Sequence, residues 1–157
     1  MEITVRPAVE TDLPALLVLL YDEFYPGEER IPRESAAAIW AEISAQQGRT
    51  VLVAEADGAV AGTADCIVLP NLTRGGRSVM FVENVVVSGS HQRLGVGRRL
   101  LDAAADLGRT AGCYKMQLLA ADDEYVHTFY ESCGFESRAQ GFRRYLETVR
   151  PRGSSLR

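Results

Sequence analysis

The chain has 157 residues, of which 46% are hydrophobic and 24% are charged, and its net charge at neutral pH is −4. This composition is typical of one globular domain, and the acidic balance argues against nucleic acid or a membrane surface as a partner. With three cysteines, no C-x-x-C pair and two histidines, we expect no metal site. Unpaired cysteines and the absence of a signal-like start predict a cytoplasmic protein.

The hydrophobic pattern predicts a single domain over residues 1–150 and a flexible tail over 151–157. The predicted order is β-α-α-β-β-β-α-β-α-β-β, a mixed α+β fold with a central mixed sheet and helices on both faces. The segment 21–32 is interpreted as a loop or a broken helix. The strands are expected at residues 3–5, 50–56, 59–69, 78–87, 115–121, 135–136 and 142–149, and the helices at 13–20, 33–47, 94–112 and 123–133.

A nearly all-apolar strand runs into a turn and then into a helix that opens with Gly95 and Gly97. The first amides of a helix have no partners within it, and the helix dipole makes this end positive. Arg93, Arg98 and Arg99 lie at the same end, where cations oppose the dipole. The pattern therefore favours a bound anion such as a diphosphate. The alternative is that the arginines are solvated and the glycines only form the turn.

Glu83 and Asn84 interrupt the apolar strand over residues 78–87 on opposite faces. A buried carboxylate is costly unless it is paired or used. A raised pKa there would make Glu83 a plausible general base, and the alternative is a structural ion pair with an arginine. For Asn84 a structural hydrogen bond is favoured over catalysis.

Tyr130 lies on a short helix that ends near Gly134, and by itself it is more typical of a core tyrosine. Cys133 with His127 could suggest an acyl-enzyme. This is disfavoured because a position at a helix C-terminus raises the pKa of a thiol.

Taken together, three segments resemble the GNAT superfamily of acetyl-CoA-dependent N-acetyltransferases. Residues 92–97 match the family's phosphate motif, Q/R-x-x-G-x-G/A, and E-N-V-V-V stands just before it at 83–87. F-Y-E-S-C-G-F follows at 129–135. The segment G-C-Y-K at 112–115 further resembles the glucosamine-phosphate N-acetyltransferase branch. The resemblance is specific over about residues 78–136, and earlier residues match only in the order of their elements.

The resemblance implies a GNAT-like acyl-CoA N-acyltransferase fold. It also implies transfer of an acetyl group from acetyl-CoA directly to a primary amine in a ternary complex. Tyr130 would be the general acid beside the thioester sulfur, and Glu83 the base through water, with His127 as an alternative base. Asp123 stands where many members have a cofactor-binding asparagine. The implied cofactor-binding residues are Val85, Val86, Val87, Gln92, Arg93, Leu94, Gly95, Val96, Gly97, Arg98, Arg99, Asp123 and Tyr130.

In the family, the region of the acidic and aromatic loop at 22–29 lines the acceptor site. Phe24, Tyr25 and Glu28, together with Glu83, are therefore the expected substrate-binding residues. This loop favours a cationic amine, carried by a small molecule or a peptide. Arginines in later turns could instead suit an anionic acceptor such as an amino-sugar phosphate. These are Arg74, Arg77, Arg138 and Arg143.

Two further expectations concern the protein as a whole. A catalytically silent acyl-CoA-binding or sensor module is the alternative to an enzyme, although such a module would need neither Glu83 nor Tyr130. Homodimers are frequent in the family, so a homodimer is also expected.

Overall fold

The computed structural model describes residues 1–147. The predicted tail at 151–157 and the end of the last predicted strand, 148–149, lie outside the described residues. Within residues 1–147 there are five strands, β1 Ile3–Pro7, β2 Arg49–Ala56, β3 Ala59–Leu69, β4 Ser78–Val87 and β5 Cys113–Leu118. The α-helices of this part are α1 Leu13–Leu17, α2 Arg33–Ala45, α3 Val96–Thr110 and α4 Glu124–Ser132.

The five strands form one mixed sheet in the order β1-β2-β3-β4-β5. The first four are antiparallel neighbours, and β5 runs parallel to β4. The antiparallel strands β2 and β3 are joined by the tight Asp57–Gly58 turn, whose two residues both have positive φ as such a hairpin requires. The helices α1 and α2 lie between β1 and β2. A parallel neighbour needs a crossover, which α3 supplies between β4 and β5. The predicted mixed fold is confirmed.

The core lies between α3 and one face of the sheet. Val96, Leu100 and Ala104 follow one helical stripe at four-residue spacing, and each is at most 1% exposed. They pack on sheet residues that include Ala54 and Met80. On the opposite side, α1 and the residues after it contact β3 and β4.

The segment after α1 differs from the predicted loop or broken helix. Residues Val18–Phe24 continue α1 as a π-helix, and the Tyr25 amide closes it by donating to the Leu20 carbonyl at 3.1 Å. The wider turn keeps Leu19 buried while it brings Phe24 and Tyr25 to the open end of β4. π-Helices are rare in proteins, and those that do occur are often found at functional sites.

The predicted final hairpin over 135–136 and 142–149 is corrected by the structure, which has no strand in residues 133–147. Gly134, with φ +90°, ends α4 and redirects the chain. The side chains of Phe142 and Leu146 are 87% and 92% exposed, so no neighbouring element covers them as a paired strand would require. In the described part of the chain, no helix combines the length and apolar character needed to cross a bilayer.

Candidate active site

The parallel strands β4 and β5 separate halfway along β4. Pairing between β4 and β5 extends from Ser78 with Cys113 to Val82 with Leu118. Residues 83–87 then pair with β3 alone. A register shift on this side leaves an extra β4 residue, and Asn84 adopts a left-handed φ of +51° there. Such a bulge bends a strand, and the outer backbone groups of residues 83–87 have no strand partner.

A cavity of about 740 Å³ occupies this gap. Its walls are the outer half of β4, the N-terminus of α3, the inner face of α4, and the end of the π-helix. The predicted site residues that line it are Phe24, Tyr25, Glu83, Val85, Val87, Gln92, Arg93, Gly95, Gly97, Arg98, Asp123 and Tyr130. The structure therefore brings together segments that are far apart in the sequence.

Five predicted site residues do not line the cavity, namely Val86, Leu94, Val96, Arg99 and Glu28. Val86 and Val96 are buried in the protein interior, because they alternate with the cavity-facing residues of β4 and α3. The Leu94 side chain is 50% exposed and Glu28 is exposed in its loop. Arg99 donates to the Ile3 carbonyl at 3.0 Å.

The two glycines at the start of α3 are required for different reasons. Gly95 is the N-cap residue with φ +90°, and no atom would lie within 4 Å of an added Cβ. Together with Arg93, at φ +62°, it forms a turn whose amides belong to the unpartnered N-terminus of the helix. At Gly97 a Cβ would lie 2.8 Å from Phe129 Cζ, so this glycine permits close contact between α3 and α4.

The arginines at this turn have partners within the protein. Arg98 donates to the Ser132 carbonyl at 2.8 Å, at the C-terminus of α4 where a cation is favourable. Arg93 lies 5.2 Å over the Tyr125 ring and donates to its hydroxyl at 3.2 Å. The sequence argument for an anion relied on three arginines at the positive end of one helix dipole. It is weakened, because Arg98 and Arg99 donate hydrogen bonds to backbone carbonyls elsewhere in the protein. Arg93 and the backbone amides are the principal groups suited to an anion.

Tyr130 is held in the cavity wall by aromatic packing. Its ring centroid lies 5.1 Å from that of Phe129 and 5.6 Å from that of Phe135. Burial raises the pKa of the Tyr130 hydroxyl to about 12, and the charge of a Cys133 thiolate adds to the rise. The hydroxyl is therefore protonated near neutral pH and is able to donate a proton.

Glu83 lines the same cavity as Tyr130, but it is not the buried carboxylate that the sequence predicted. It is exposed, because β5 no longer covers β4 at this point. It forms no ion pair with any residue of the described range 1–147, so the structural arginine pair is absent there. The reactivity of the Glu83 carboxylate therefore depends on its position in the cavity and on its contact with solvent.

Asp123 acts as the N-cap of α4, where its carboxylate accepts the Val126 amide at 3.1 Å. The alternative residues His127 and Cys133 lie in a second groove along β5 and do not line the cavity. His91 is half-buried in the cavity wall, with Nδ1 2.7 Å from Ser88 Oγ.

Sequence reasoning gave no site role to several cavity residues, including Asn84, Tyr125 and Phe129, and it named Arg143 only as an option for an anionic acceptor. Asn84 was recognised as an interruption of the strand, but its left-handed backbone has no signal in the residue itself. Tyr125 and Phe129 share a helical face with Tyr130 at intervals of four and five residues, so this signal was available. Arg143 reaches the cavity through an irregular segment that no periodicity describes.

A mixed sheet that opens between two parallel strands, with a helix N-terminus at the opening, is the arrangement of acyl-CoA N-acyltransferases. The sequence model described as "Acetyltransferase (GNAT) family" matches residues 13–135. The chain therefore belongs to this family, whose members use acetyl-CoA. The predicted superfamily is confirmed.

Three relatives place the chain more closely. Over 86 residues it is 35% identical to the glucosamine 6-phosphate N-acetyltransferase of Trypanosoma brucei brucei, a match that covers 55% of this chain and 57% of that protein. The chain thus spans less than two thirds of the length of this curated relative. A solved structure from Agrobacterium tumefaciens str. C58, described provisionally as an acetyltransferase, has a TM-score of 0.86 and 38% identity over 90% of this chain and 99% of its own.

The third relative is the structure of AAC(6')-Iy in complex with the bisubstrate analogue CoA-S-monomethyl-acetylneamine. It has a TM-score of 0.73 and 25% identity over 92% of this chain and 99% of its own. The likeness extends to a structure that holds a CoA derivative, as its name states.

Proposed function

We propose that this protein binds acetyl-CoA in the cavity beside β4 and transfers the acetyl group to a primary amine. The observation that carries the proposal is the meeting of three features in one cavity of about 740 Å³. These are a helix N-terminus with a left-handed turn, an unpaired strand edge, and the protonated Tyr130 hydroxyl. Each belongs to a different segment of the chain.

The residues around the cavity fit such a cofactor. The unpartnered amides at the start of α3, with Arg93 beside them, suit a diphosphate. At Val85, the unpaired edge of β4 presents backbone groups that can hydrogen-bond to an extended amide chain of the cofactor, as they would to an added strand. The Val87 carbonyl already accepts Gln92 Nε2 at 3.3 Å, so Gln92 braces this strand end and leaves less of it for a ligand.

Acetyl-CoA supplies an acetyl thioester when bound. In the proposed reaction, an acceptor amine forms a bond to the acetyl carbon while the carbon–sulfur bond breaks. Glu83 takes one proton from the ammonium form of the acceptor, through water, since an amine of pKa near 10 is protonated at neutral pH. The nitrogen loses its second proton to solvent as the amide forms, and solvent returns a proton to the Tyr130 phenolate. Tyr130 donates its proton to the departing thiolate. Each such transfer contributes about 10²–10⁴-fold to the rate.

We propose an amino-sugar phosphate as the acceptor. The printed name of the trypanosome relative supports this class, and Arg143 lines the cavity together with the aromatic pair Phe24 and Tyr25, whose ring centroids are 4.6 Å apart. Aromatic faces and one cation suit a sugar that carries a phosphate. The acidic loop supports a cationic acceptor less than expected, because Glu28 lies outside the cavity lining and Asp22 is paired with Arg30.

The proposed activity is tested by following thiol release from acetyl-CoA with four acceptors, namely glucosamine 6-phosphate, glucosamine, an aminoglycoside and a lysine peptide. We expect the first to have the highest kcat/KM. The variant Arg143→Gln should raise KM for glucosamine 6-phosphate but not for glucosamine, whereas Arg138→Gln, which removes an arginine paired with Glu136, should change neither. Binding of acetyl-CoA without thiol release for any amine would instead indicate the silent module.

The role of Glu83 has its own test. Glu83→Gln keeps the size of the side chain and removes its basicity. We expect kcat/KM to fall and its dependence on pH to flatten on the limb that Glu83 governs. An unchanged pH profile would assign the amine proton to bulk water. His127→Gln serves as the control, because His127 does not line the cavity and its loss should leave the profile as it is.

A homodimer formed along β5 is also proposed. Within residues 1–147, β5 pairs with β4 on one side only, and the exposed Phe142 and Leu146 lie in the segment beyond it. An unpaired strand edge with apolar neighbours is a site for association. In sedimentation, Leu146→Asp should shift the protein toward monomer, and Leu72→Asp, at a fully exposed loop position, should not.

The three cysteines are unpaired in the structure. Unpaired cysteines support a reducing compartment, and we propose the cytoplasm as the place of action. Localisation of the tagged full chain by microscopy or fractionation tests this proposal.

A further inference from the structure

The imidazole of His91 is held in the cavity wall by two hydroxyl groups. Its Nδ1 lies 2.7 Å from Ser88 Oγ and 3.0 Å from Ser90 Oγ. The two hydroxyl oxygens lie 3.4 Å from each other. We call these three residues the His91 cluster. The proposed reaction gives it no role, although His91 lines the same cavity as Tyr130 and Glu83.

The hydroxyl groups of the cluster set which ring nitrogen of His91 carries the proton. A neutral imidazole has one N–H donor and one acceptor nitrogen, and the hydrogen bond at one nitrogen fixes the state of the other. An N–H donor usually lies about 2.9–3.0 Å from oxygen, whereas hydroxyl donors form shorter bonds of about 2.7–2.8 Å. The short contact between Ser88 and His91 therefore favours the hydroxyl as donor and Nδ1 as acceptor. In that tautomer Nε2 carries the proton.

The opposite edge of the ring meets the cavity. Nδ1 faces Ser88 and Ser90, and neither of these two serines is among the residues that line the cavity, whereas His91 is. The edge of an imidazole that carries Nε2 lies across the ring from Nδ1. An N–H donor is thus presented to the cavity two residues before Arg93, where the left-handed turn at the start of α3 begins.

The short turn that carries the imidazole is braced from both sides. The Ser88 amide donates to the Ala61 carbonyl of β3 at 2.8 Å, and the His91 amide donates to the Ser88 carbonyl at 2.9 Å. The Glu23 carboxylate, which does not line the cavity, lies against Gly89, where a Cβ would be 3.4 Å from Oε2. The ring is therefore in place before a ligand arrives, and such preorganisation lowers the entropic cost of binding.

A diphosphate in the cavity has room for a further side-chain donor. Arg98 and Arg99 donate to carbonyls of α4 and β1, and Arg93 already lies over the Tyr125 ring. A diphosphate carries several charged oxygens, and hydrogen bonds to charged oxygens are stronger than those between neutral groups. A neutral N–H donor beside the turn adds such a bond without placing another cation at the positive end of the α3 dipole.

We propose that His91 is a cofactor-binding residue whose Nε2–H donates a hydrogen bond to a diphosphate oxygen of CoA. Ser88 and Ser90 act as positioning residues, because their hydroxyl groups hold the imidazole in the tautomer that permits this bond. The proposal rests on the proposed use of acetyl-CoA. His91 contacts the cofactor away from the reacting atoms, so its loss weakens cofactor affinity and leaves kcat at saturating acetyl-CoA and amine unchanged.

The tautomer is tested on the full chain labelled with ¹⁵N-histidine, from two-bond ¹H–¹⁵N correlation spectra of the imidazole rings at pH 8. The chain has two histidines, so the variant His127→Gln assigns both ring patterns. We expect the Nε2–H pattern for His91 in the wild type and an averaged pattern in the double variant Ser88→Ala/Ser90→Ala. An Nδ1–H pattern or an averaged pattern in the wild type would overturn the proposal.

The bond to the cofactor is tested by calorimetry with CoA, ADP and pantetheine, of which pantetheine lacks the diphosphate. His91→Phe keeps a ring and removes both nitrogens, so affinity for CoA and for ADP should fall about tenfold and affinity for pantetheine should not change. His91→Gln, whose side-chain amide can donate from a similar position, should recover most of this loss. His127→Phe is the matched control, because His127 does not line the cavity, and it should bind all three as the wild type does.

The double variant Ser88→Ala/Ser90→Ala keeps the imidazole and provides a second measurement if His91→Phe does not fold. It should bind ADP about threefold more weakly, since the ring then spends part of its time in the other tautomer or orientation. Equal losses for pantetheine and CoA in His91→Phe, or wild-type ADP affinity in both variants, would contradict the proposal while leaving the acetyl-CoA function intact. A wild-type protein that binds neither CoA nor ADP would overturn both proposals.

Discussion

The two halves of β4 both contain several valines but have different neighbours. Residues 78–82 lie between β3 and β5, whereas residues 83–87 pair with β3 alone. The first half places Met80 and Val82 in the core, at 1% and 2% exposure. The second half lines the cavity. The comparison teaches that what an apolar strand does depends on whether a neighbouring strand satisfies its edge, because unpaired backbone groups must bind water or a ligand.

The largest expected effect is a loss of catalytic rate without a loss of stability. Tyr130→Phe removes only the hydroxyl of a residue that lines the cavity, so we expect kcat to fall about 10²–10⁴-fold with little change in unfolding free energy. Steady-state kinetics at saturating acetyl-CoA and amine measure it. Tyr125→Phe removes a hydroxyl from the same cavity and is the control. An unchanged kcat in Tyr130→Phe would remove the acid role.

Met80→Ala, in the half of β4 that pairs with β5, is expected to lower stability and to leave catalysis nearly unchanged. Loss of a fully buried side chain between the sheet and α3 should cost about 2–5 kcal/mol of unfolding free energy, measured by urea denaturation, and leave kcat per folded molecule nearly unchanged. Val85→Ala, in the open half, should cost less stability and raise KM for acetyl-CoA. If the two variants lost stability equally, the distinction between the halves of β4 would be wrong.

The pH dependence of stability sharpens the contrast between desolvated Tyr130 and exposed Glu83. The pKa of Tyr130 in the folded protein is raised to about 12 from its ordinary value of 10, so folding favours the protonated phenol. Its contribution to stability, about 2–3 kcal/mol, is complete below pH 10 and is lost as the pH rises through 12. Denaturation of the wild type and of Tyr130→Phe should give curves that coincide near pH 9 and diverge between pH 10 and 12, because only the wild type loses stability there. Parallel curves would exclude the raised pKa.

The two glycines at the start of α3 offer a finer test. Gly97→Ala and Gly95→Ala should each cost about 1–2 kcal/mol, the first through contact with Phe129 and the second through backbone strain. Adding Phe129→Leu should partly restore the stability of Gly97→Ala but not that of Gly95→Ala, as a double-mutant cycle measures. Equal restoration in both backgrounds would mean that the crowding is not local.

The smallest effect concerns the charge that caps α4. Asp123→Asn keeps a good N-cap and removes a negative charge from the cavity wall. We expect stability to change by only a few tenths of a kcal/mol and affinity for CoA, measured by calorimetry, to rise severalfold. Asp122→Asn, at the exposed neighbouring position, is the matched control. A loss of affinity specific to Asp123→Asn would instead make the carboxylate a direct ligand.

Local patterns predicted much of the fold. The bounds of β4 were predicted to the residue, and the Asp57–Gly58 turn and the amphipathic stripe of α3 lie where expected, because each depends on neighbours in the sequence. The π-helix and the irregular segment after Gly134 were not predicted. Both depend on what the segment packs against, and neither has a periodic signal.

For the site, the sequence identified Tyr130, Glu83 and the glycine turn as the candidates. It was wrong about the burial of Glu83, because nothing in the sequence of β4 indicates that the parallel strand β5 ends at Leu118. It also assigned Arg98 and Arg99 to an anion, although carbonyls of α4 and β1 accept their hydrogen bonds. Such partners lie far away in the sequence.

What the sequence determined by itself is the family and the residue types that carry its chemistry, because glycines, capping residues and apolar periodicity act over a few neighbouring positions. Only the tertiary structure decided which edge of β4 is open and where Arg98 and Arg99 find their partners. Those outcomes are set by pairing between distant segments. The free energy of each pairing depends on both segments together, so neither segment alone determines it.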